Sequence, residues 1–200
     1  MIITKITKSK KGNALIYADN NYLASVPIEV FIKSRLKVGS NIDENTLEEL
    51  VKEMDFNKAK EKALRLLSLR AHSKKELTDK LKNSSGEESA EKVAEKMQSL
   101  GLIDDRSFAV SYASELFSKK LHSVSKVKYE LSKKGISNDI IEEIIEEISP
   151  DERQNIEKIF EKKHFDINDE KNFRRTVAYC QRLGYSWNDI KSVINLYNQT

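Results

Sequence analysis

The chain has 200 residues, of which 34% are charged and 38% hydrophobic, with six glycines, two prolines and one cysteine. So few breakers exclude a β-sandwich or barrel, which needs a turn about every 8–12 residues, and a Pro/Gly-rich disordered chain. A net charge of +3, from 35 basic and 32 acidic residues, is too balanced to imply nucleic-acid binding by itself. A single cysteine, Cys180, excludes an intramolecular disulfide framework and a multi-cysteine metal site, and it fits a reducing compartment. With no apolar run approaching the roughly 18 residues of a membrane span and no signal-peptide pattern at Met1–Lys5, a cytosolic protein is expected.

Residues 1–26 read as a three-stranded antiparallel meander. Ile2, Thr4 and Ile6 alternate with other residues, Lys10-Lys11-Gly12-Asn13 and Asp19-Asn20-Asn21 are turns, and Ala14–Tyr17 and Tyr22–Val26 are short β-branched or aromatic runs. Pro27 ends the meander and opens a short helix through Ile28, Val30, Phe31 and Ile32. From about residue 43 the pattern is helical. Leu47, Leu50, Val51 and Met54 share one face, and Ala59, Ala63, Leu66, Leu67 and Arg70 continue the stripe. Ser73-Lys74-Lys75-Glu76 reads as a capping box ahead of the core positions Leu77 and Leu81, and Asn83-Ser84-Ser85-Gly86 reads as a break. Val93, Met97 and Leu100 form the next stripe, closed by Gly101.

Three further helices are expected over 105–120, 123–134 and 138–148. Phe108, Ala109, Tyr112 and Leu116 face inward on the first, Val127 and Leu131 on the second, and Ile140, Ile141, Ile144, Ile145 and Ile148 on the third. Ser149-Pro150-Asp151-Glu152 reads as a helix start with a serine cap and proline at the first helical position. Ile156, Ile159 and Phe160 then line one helix, and Phe173, Val177 and Cys180 the next, closed by Gly184. Ser186–Asp189 caps the last helix, with Ile190, Val193, Ile194 and Tyr197 on its stripe.

The layout repeats. Leu131-Ser132-Lys133-Lys134-Gly135 through Ile140 parallels Cys180-Gln181-Arg182-Leu183-Gly184 through Ile190 with one residue inserted. An earlier block matches more loosely through Leu77, Leu81 and Gly86. A period of about 40–50 residues suggests an array of helical repeats. The expected fold is mainly α, with three tandem three-helix repeats at 58–104, 105–149 and 150–200 in an elongated array. A β-meander with a helical extension at 1–57 precedes them.

Ala63-Leu64-Arg65-Leu66-Leu67-Ser68-Leu69-Arg70-Ala71-His72-Ser73-Lys74-Lys75-Glu76-Leu77, followed by Leu100-Gly101-Leu102-Ile103-Asp104-Asp105-Arg106-Ser107-Phe108-Ala109, resembles the RecX family of regulators of the RecA recombinase. The resemblance covers about residues 58–198. It marks Arg70, Ser73, Glu76, Leu77, Gly101, Asp104, Asp105, Phe108 and Ala109 as motif positions. Where the family often has glycine opening the middle repeat's basic helix, this chain has His122-Ser123. The resemblance implies a non-enzymatic regulator that binds the RecA–single-stranded DNA filament and restrains its ATP hydrolysis and strand exchange in recombination and repair. A monomer is expected, with the filament and single-stranded DNA as partners, no membrane and no cofactor.

Charge is uneven along the chain. Arg106, Lys119, Lys120, Lys126, Lys128, Lys133 and Lys134 face only Glu115 and Glu130 between residues 106 and 135, whereas 139–147 carries five acids and no base. Lys133, Lys134 and Asp139 sit where the helix dipole favours them; Lys119, Lys120, Lys126 and Lys128 are less well explained and are candidate contacts to phosphates or a protein partner. Lys74, Lys75, Lys80 and Lys82, with Arg174, Arg175 and Arg182, extend the set to comparable helices. The Asp104-Asp105 pair and Phe108 read as structural, a helix cap and a plug between repeats. Arg65 and Arg70 read as partners of nearby acids. Cys180 reads as core, and Tyr185 and Trp187 as packing residues of the last repeat. His72, His122 and His164 form no metal-ligand spacing, and neither phosphate-loop motif occurs, so no enzyme is indicated. An autonomous helical nucleic-acid-binding protein, with its second and third helices as a helix-turn-helix, is the other reading.

Overall fold

The computed structural model describes residues 1–10 and 12–197; the expected turn residue Lys11 and the last three residues lie outside the described set, as does the side chain of Tyr197. Three strands, β1 (Ile3–Lys8), β2 (Ala14–Ala18) and β3 (Asn21–Val26), form an antiparallel sheet in the order β1-β2-β3. The β2–β3 turn places Asp19 and Asn20 at φ 47° and 64°, the left-handed pair that suits a two-residue hairpin. A bulge between Ile3 and Lys5 shifts the β1 register. It corrects the alternation expected of Ile2, Thr4 and Ile6: Ile3 is fully buried, Ile2 is exposed, and Ile6 packs on the same core as Ile3. An extra residue in one strand reverses the faces beyond it.

Ten helices follow among the described residues: α1 (Ile28–Ser34), α2 (Glu44–Leu69), α3 (Lys74–Ser85), α4 (Glu87–Ser99), α5 (Asp105–Ser118), α6 (Val124–Lys133), α7 (Asn138–Ile148), α8 (Glu152–Lys163), α9 (Glu170–Arg182) and α10 (Trp187–Tyr197). None of the described helices is long and apolar enough to cross a membrane. The chain divides into two compact units, residues 1–71 with 77–103, and residues 72–76 with 104–200.

In the first unit, Ile3, Ile16, Val26, Val30, Ile42 and Leu50 make one core under the sheet. Ala59, Ala63, Leu77, Leu81, Ala90, Val93, Met97 and Ile103 make a second. Asp43 caps α2 through the Thr46 N–H, and α2 runs unbroken through residues 57 and 58, serving both cores. Helix α3 continues through Ser85, beyond the break expected at Asn83; only Gly86 interrupts it, at φ 74°. Leu100, expected on the α4 stripe, is exposed because the helix ends at Ser99 and the chain turns there.

In the second unit, α5, α6 and α7 enclose Phe108, Ala109, Leu116, Val127, Leu131, Ile141 and Ile144. Helices α8, α9 and α10 enclose Ile156, Ile159, Phe160, Cys180, Tyr185 and Ile190, joined by Leu121 from the α5–α6 turn. The expected helix start at Ser149-Pro150 is corrected. Ser149 ends α7, donating its N–H to Ile145, and Asp151 caps α8 by accepting from the Arg153 N–H. Proline holds the residue before it extended, so the chain leaves α7 at Ser149 and the next carboxylate takes the cap.

Three helix ends share one geometry. Leu102, Ile136 and Tyr185 donate their N–H to Met97, Leu131 and Cys180, and Gly101, Gly135 and Gly184 donate to Gln98, Ser132 and Gln181, at 2.9–3.2 Å. This is the paired-bond helix stop that needs a left-handed residue. Two of these stops dock on helix starts far back in the chain. The Ser73 hydroxyl donates to the Lys134 carbonyl at 2.7 Å, while the Ser123 N–H donates to the Leu183 carbonyl at 2.9 Å. Both serines are buried, and both accept the N–H three residues on, from Glu76 and Lys126.

Candidate phosphate and partner interface

The motif residues make helix-end and core contacts. Asp104 caps α5 by accepting the Ser107 N–H at 3.0 Å. Asp105 accepts the Lys74 N–H at 2.8 Å, and Glu76 pairs with Lys134 at 3.3 Å. Phe108 lies in the core of α5–α7, stacked on Tyr112, where the sequence reading expects it between repeats. Ala109 and Leu77 are fully buried. Arg70 donates to the Ala71 carbonyl, and Arg65 is exposed on α2.

Cys180 is a core residue, and burial pushes its thiol up to about 11. Tyr185 is buried as expected; desolvation raises its hydroxyl above the ordinary tyrosine value, with the Asn155 side chain opposing. Trp187, expected to pack, is instead 46% exposed. It is the first residue of α10, while the stripe facing the core begins at Ile190. Among the described residues, no cluster of His, Cys, Asp and Glu could hold a metal ion.

The candidate cations fall into two kinds. Several are engaged locally. Lys126 pairs with Glu130 at 3.2 Å and lies 5.1 Å from the Tyr129 ring centre. Lys128 pairs with Glu142, and Lys82 with Glu87. The Lys75 ammonium donates to the Lys133 carbonyl, and Lys133 lies over Tyr129. Lys134 reaches both Glu76 and the Tyr112 ring. Lys80 is exposed, its carbonyl accepting from Lys62. Three of the five acids of α7 thus serve as local counterions: Glu142 to Lys128, and Glu143 and Glu147 to Arg106.

The other kind gathers within the second unit. Lys119 and Lys120, at the end of α5, line one solvent-open cleft with Lys162 and Lys163 of α8, His122, and Tyr179 and Leu183 near the end of α9. Arg174, Arg175 and Arg182 line an adjoining cleft with Lys171, Tyr179 and Lys163. Lys120 pairs loosely with Glu115 at 3.5 Å, and Arg174 pairs with Glu170 on an exposed face. Burial, then the neighbouring Lys120 and Lys126 ammoniums, holds the His122 imidazole below its ordinary value, and among the described residues its buried Nδ1 has no hydrogen-bond partner. Lys162, Lys163, Lys171 and Tyr179 escape a sequence reading because they come from two helices and join only when α8 packs on α9. The one linear signal is the Lys162-Lys163 pair ending α8.

Residues 59–97 match the pattern of the first three-helix domain of RecX, and 104–145 that of the second. The chain is 31% identical over 202 residues to "Regulatory protein RecX" of Clostridium tetani, covering 96% of this chain and 93% of that protein. It is 32% identical over 203 residues to its namesake in Clostridium acetobutylicum, covering 96% and 94%. A crystal structure of regulatory protein RecX superposes with a TM-score of 0.65 at 24% identity, covering 97% of this chain and 98% of that one. With this degree of identity over nearly the whole length, and both three-helix patterns in order, the chain belongs to the RecX family.

Proposed function

We propose that this protein is a non-enzymatic regulator of a RecA-type recombinase, binding the recombinase–single-stranded DNA filament and restraining its ATP hydrolysis and strand exchange. The observation that carries the reading is the weakly compensated basic surface of Lys119, Lys120, Arg175 and Arg182, in a chain whose relatives are named regulatory proteins. A filament presents phosphates and acidic side chains together, and long-range attraction to such a surface speeds encounter and fixes orientation. The monomer acts in the cytosol, in keeping with a lone thiol held in the core. Its helical part works as three three-helix repeats, near 58–104, 105–149 and 150–200, after the extension at 1–57. The matching helix stops at Gly135 and Gly184 support this division.

The test is recombinase ATPase on single-stranded DNA, titrated with the wild type and with a Lys119→Glu, Lys120→Glu, Arg175→Glu variant. The wild type lowers turnover. The variant melts like the wild type, since exposed substitutions shift stability by less than about 0.5 kcal/mol each, and inhibits at least tenfold less well. Equal inhibition by the folded variant removes this surface from the contact, and no inhibition by the wild type removes the reading.

A further inference from the structure

The two edges of the N-terminal sheet are finished differently. On β1, Ile3 donates its N–H to the Ser40 carbonyl at 2.9 Å, Gly39 donates to the Ile3 carbonyl at 2.8 Å, and Ile2 pairs with Asn41. Beyond that cover, Lys5 and Lys8 put charge into the strand. Strand β3 is the other edge, and among the described residues no backbone bond joins it to anything but β2. The Ser9 N–H donates to the Asn13 carbonyl, and bonded pairs alternate along an antiparallel ladder. Leu15 therefore bonds toward β1, while Ala14 and Ile16 bond toward their β3 partners Val26 and Ala24. The N–H and carbonyl of Ser25, between those two, point out along the open edge.

No residue of β3 guards this edge. Asn21-Tyr22-Leu23-Ala24-Ser25-Val26 holds neither a charge nor a proline, the residue types that blunt exposed edges. Residues 20–28 are all uncharged, in a chain that is 34% charged. Tyr22 is exposed, and so are Ile28 and Ile32, one turn apart on the helix that follows the strand. Unpaired backbone groups beside exposed apolar side chains are what an added strand satisfies.

Charge selects the occupant. The same sheet and α1 with its following turn carry Lys5, Lys8, Lys10, Lys33, Arg35 and Lys37, all exposed. Among the described residues none of these makes an ion pair, unlike Lys82 and Lys92, each held by a glutamate. Of the acids in this stretch, Asp19 accepts the Ile2 N–H and Glu29 lies in the first turn of α1. A second copy of this chain would bring like cations together, whereas an acidic segment neutralises them.

We infer that β3 is a docking edge, which takes an extended segment of a partner protein as a fourth strand. The segment has apolar residues to lie beside Tyr22, Ile28 and Ile32, and acidic residues flanking them. The site lies outside the residues matched by the two three-helix patterns. The inference goes beyond the regulator reading, and its test contains no recombinase. The failure of either leaves the other standing.

The experiment is fluorescence anisotropy of the full chain with a labelled peptide of alternating valine and threonine, flanked at both ends by glutamates. One comparison peptide has lysine flanks, and another keeps the glutamates but is N-methylated at every core nitrogen. The glutamate-flanked peptide binds, and both comparison peptides bind about tenfold more weakly or worse. Ser25→Pro removes the outward N–H at a position where edge strands accept proline, and it weakens binding about tenfold. Lys33→Glu with Lys37→Glu leaves the strand untouched and reverses the preference toward the lysine-flanked peptide. Failure of the glutamate-flanked peptide to bind, equal binding of its N-methylated form, or unchanged affinity in folded Ser25→Pro overturns the inference. So does an unreversed preference in the folded charge variant. A dimer of the free chain in sedimentation, dissociated by Ser25→Pro, also overturns it, since a second copy then holds the edge.

Discussion

The Tyr185 hydroxyl donates a buried 2.9 Å hydrogen bond to the carbonyl of Leu121, which itself stands at φ 53°. The bond ties the α9–α10 turn to the α5–α6 turn, where the Leu121 side chain lies inside the core of α8–α10. A leucine in left-handed backbone costs about 1–2 kcal/mol, and burial of its side chain with satisfaction of its carbonyl offsets that cost.

Tyr185→Phe is therefore expected to destabilise the protein by about 1–3 kcal/mol, because it leaves the Leu121 carbonyl buried and unpaired. Urea unfolding followed by circular dichroism measures it. An unchanged midpoint would show that the carbonyl finds another donor.

Gly135→Ala and Gly184→Ala are expected to cost more than Gly101→Ala. All three positions have positive φ, so an alanine at each bears about 1–2 kcal/mol of backbone strain that glycine does not. At Gly101 the added Cβ meets nothing within 4 Å among the described residues, whereas at Gly135 it falls 2.6 Å from the Lys75 Cβ and at Gly184 it collides with the Ser123 Oγ. The crowded sites add overpacking of about 1–3 kcal/mol. Thermal melts of the three variants side by side test the ranking.

Acidification is expected to weaken the fold partly through His122. Burial with Lys120 and Lys126 nearby lowers its folded-state pKa below the ordinary 6.5. Below that pH the unfolded chain takes up a proton that the folded chain does not. The contribution is thus complete above pH 6.5 and lost as pH falls through the folded value. His122→Gln should flatten the fall in melting temperature between neutrality and about pH 5 relative to the wild type. Parallel curves would assign the fall to other groups.

The sequence made the helix stops readable because a glycine after an apolar stripe has one backbone solution, and Gly101, Gly135 and Gly184 all adopt it. Asp104 and Ser186 were legible for the same local reason, each accepting an N–H three residues on. Misreadings arose where two local rules compete or where tertiary placement decides. Ser149-Pro150-Asp151 offers two caps, and only the end of α7 selects Asp151. Trp187 has the composition of a core residue and the position of a helix's outer first turn. Spacing alone cannot tell Lys128, neutralised by Glu142, from Lys163, which lies over Tyr179; the distinction depends on which helix comes alongside.

The docking of late helix stops onto early helix starts gives the chain a direction in time. As the polypeptide leaves the ribosome, the turn at Ser73 waits for a carbonyl made 61 residues later, and the turn at Ser123 waits for Leu183. Each start is thus finished by a segment synthesised after it. A nascent chain halted after α7 has closed the Ser73 joint, but it leaves Leu121 without its core and the Ser123 N–H without its acceptor. Damage from premature termination therefore reaches back beyond the missing helices into those already made.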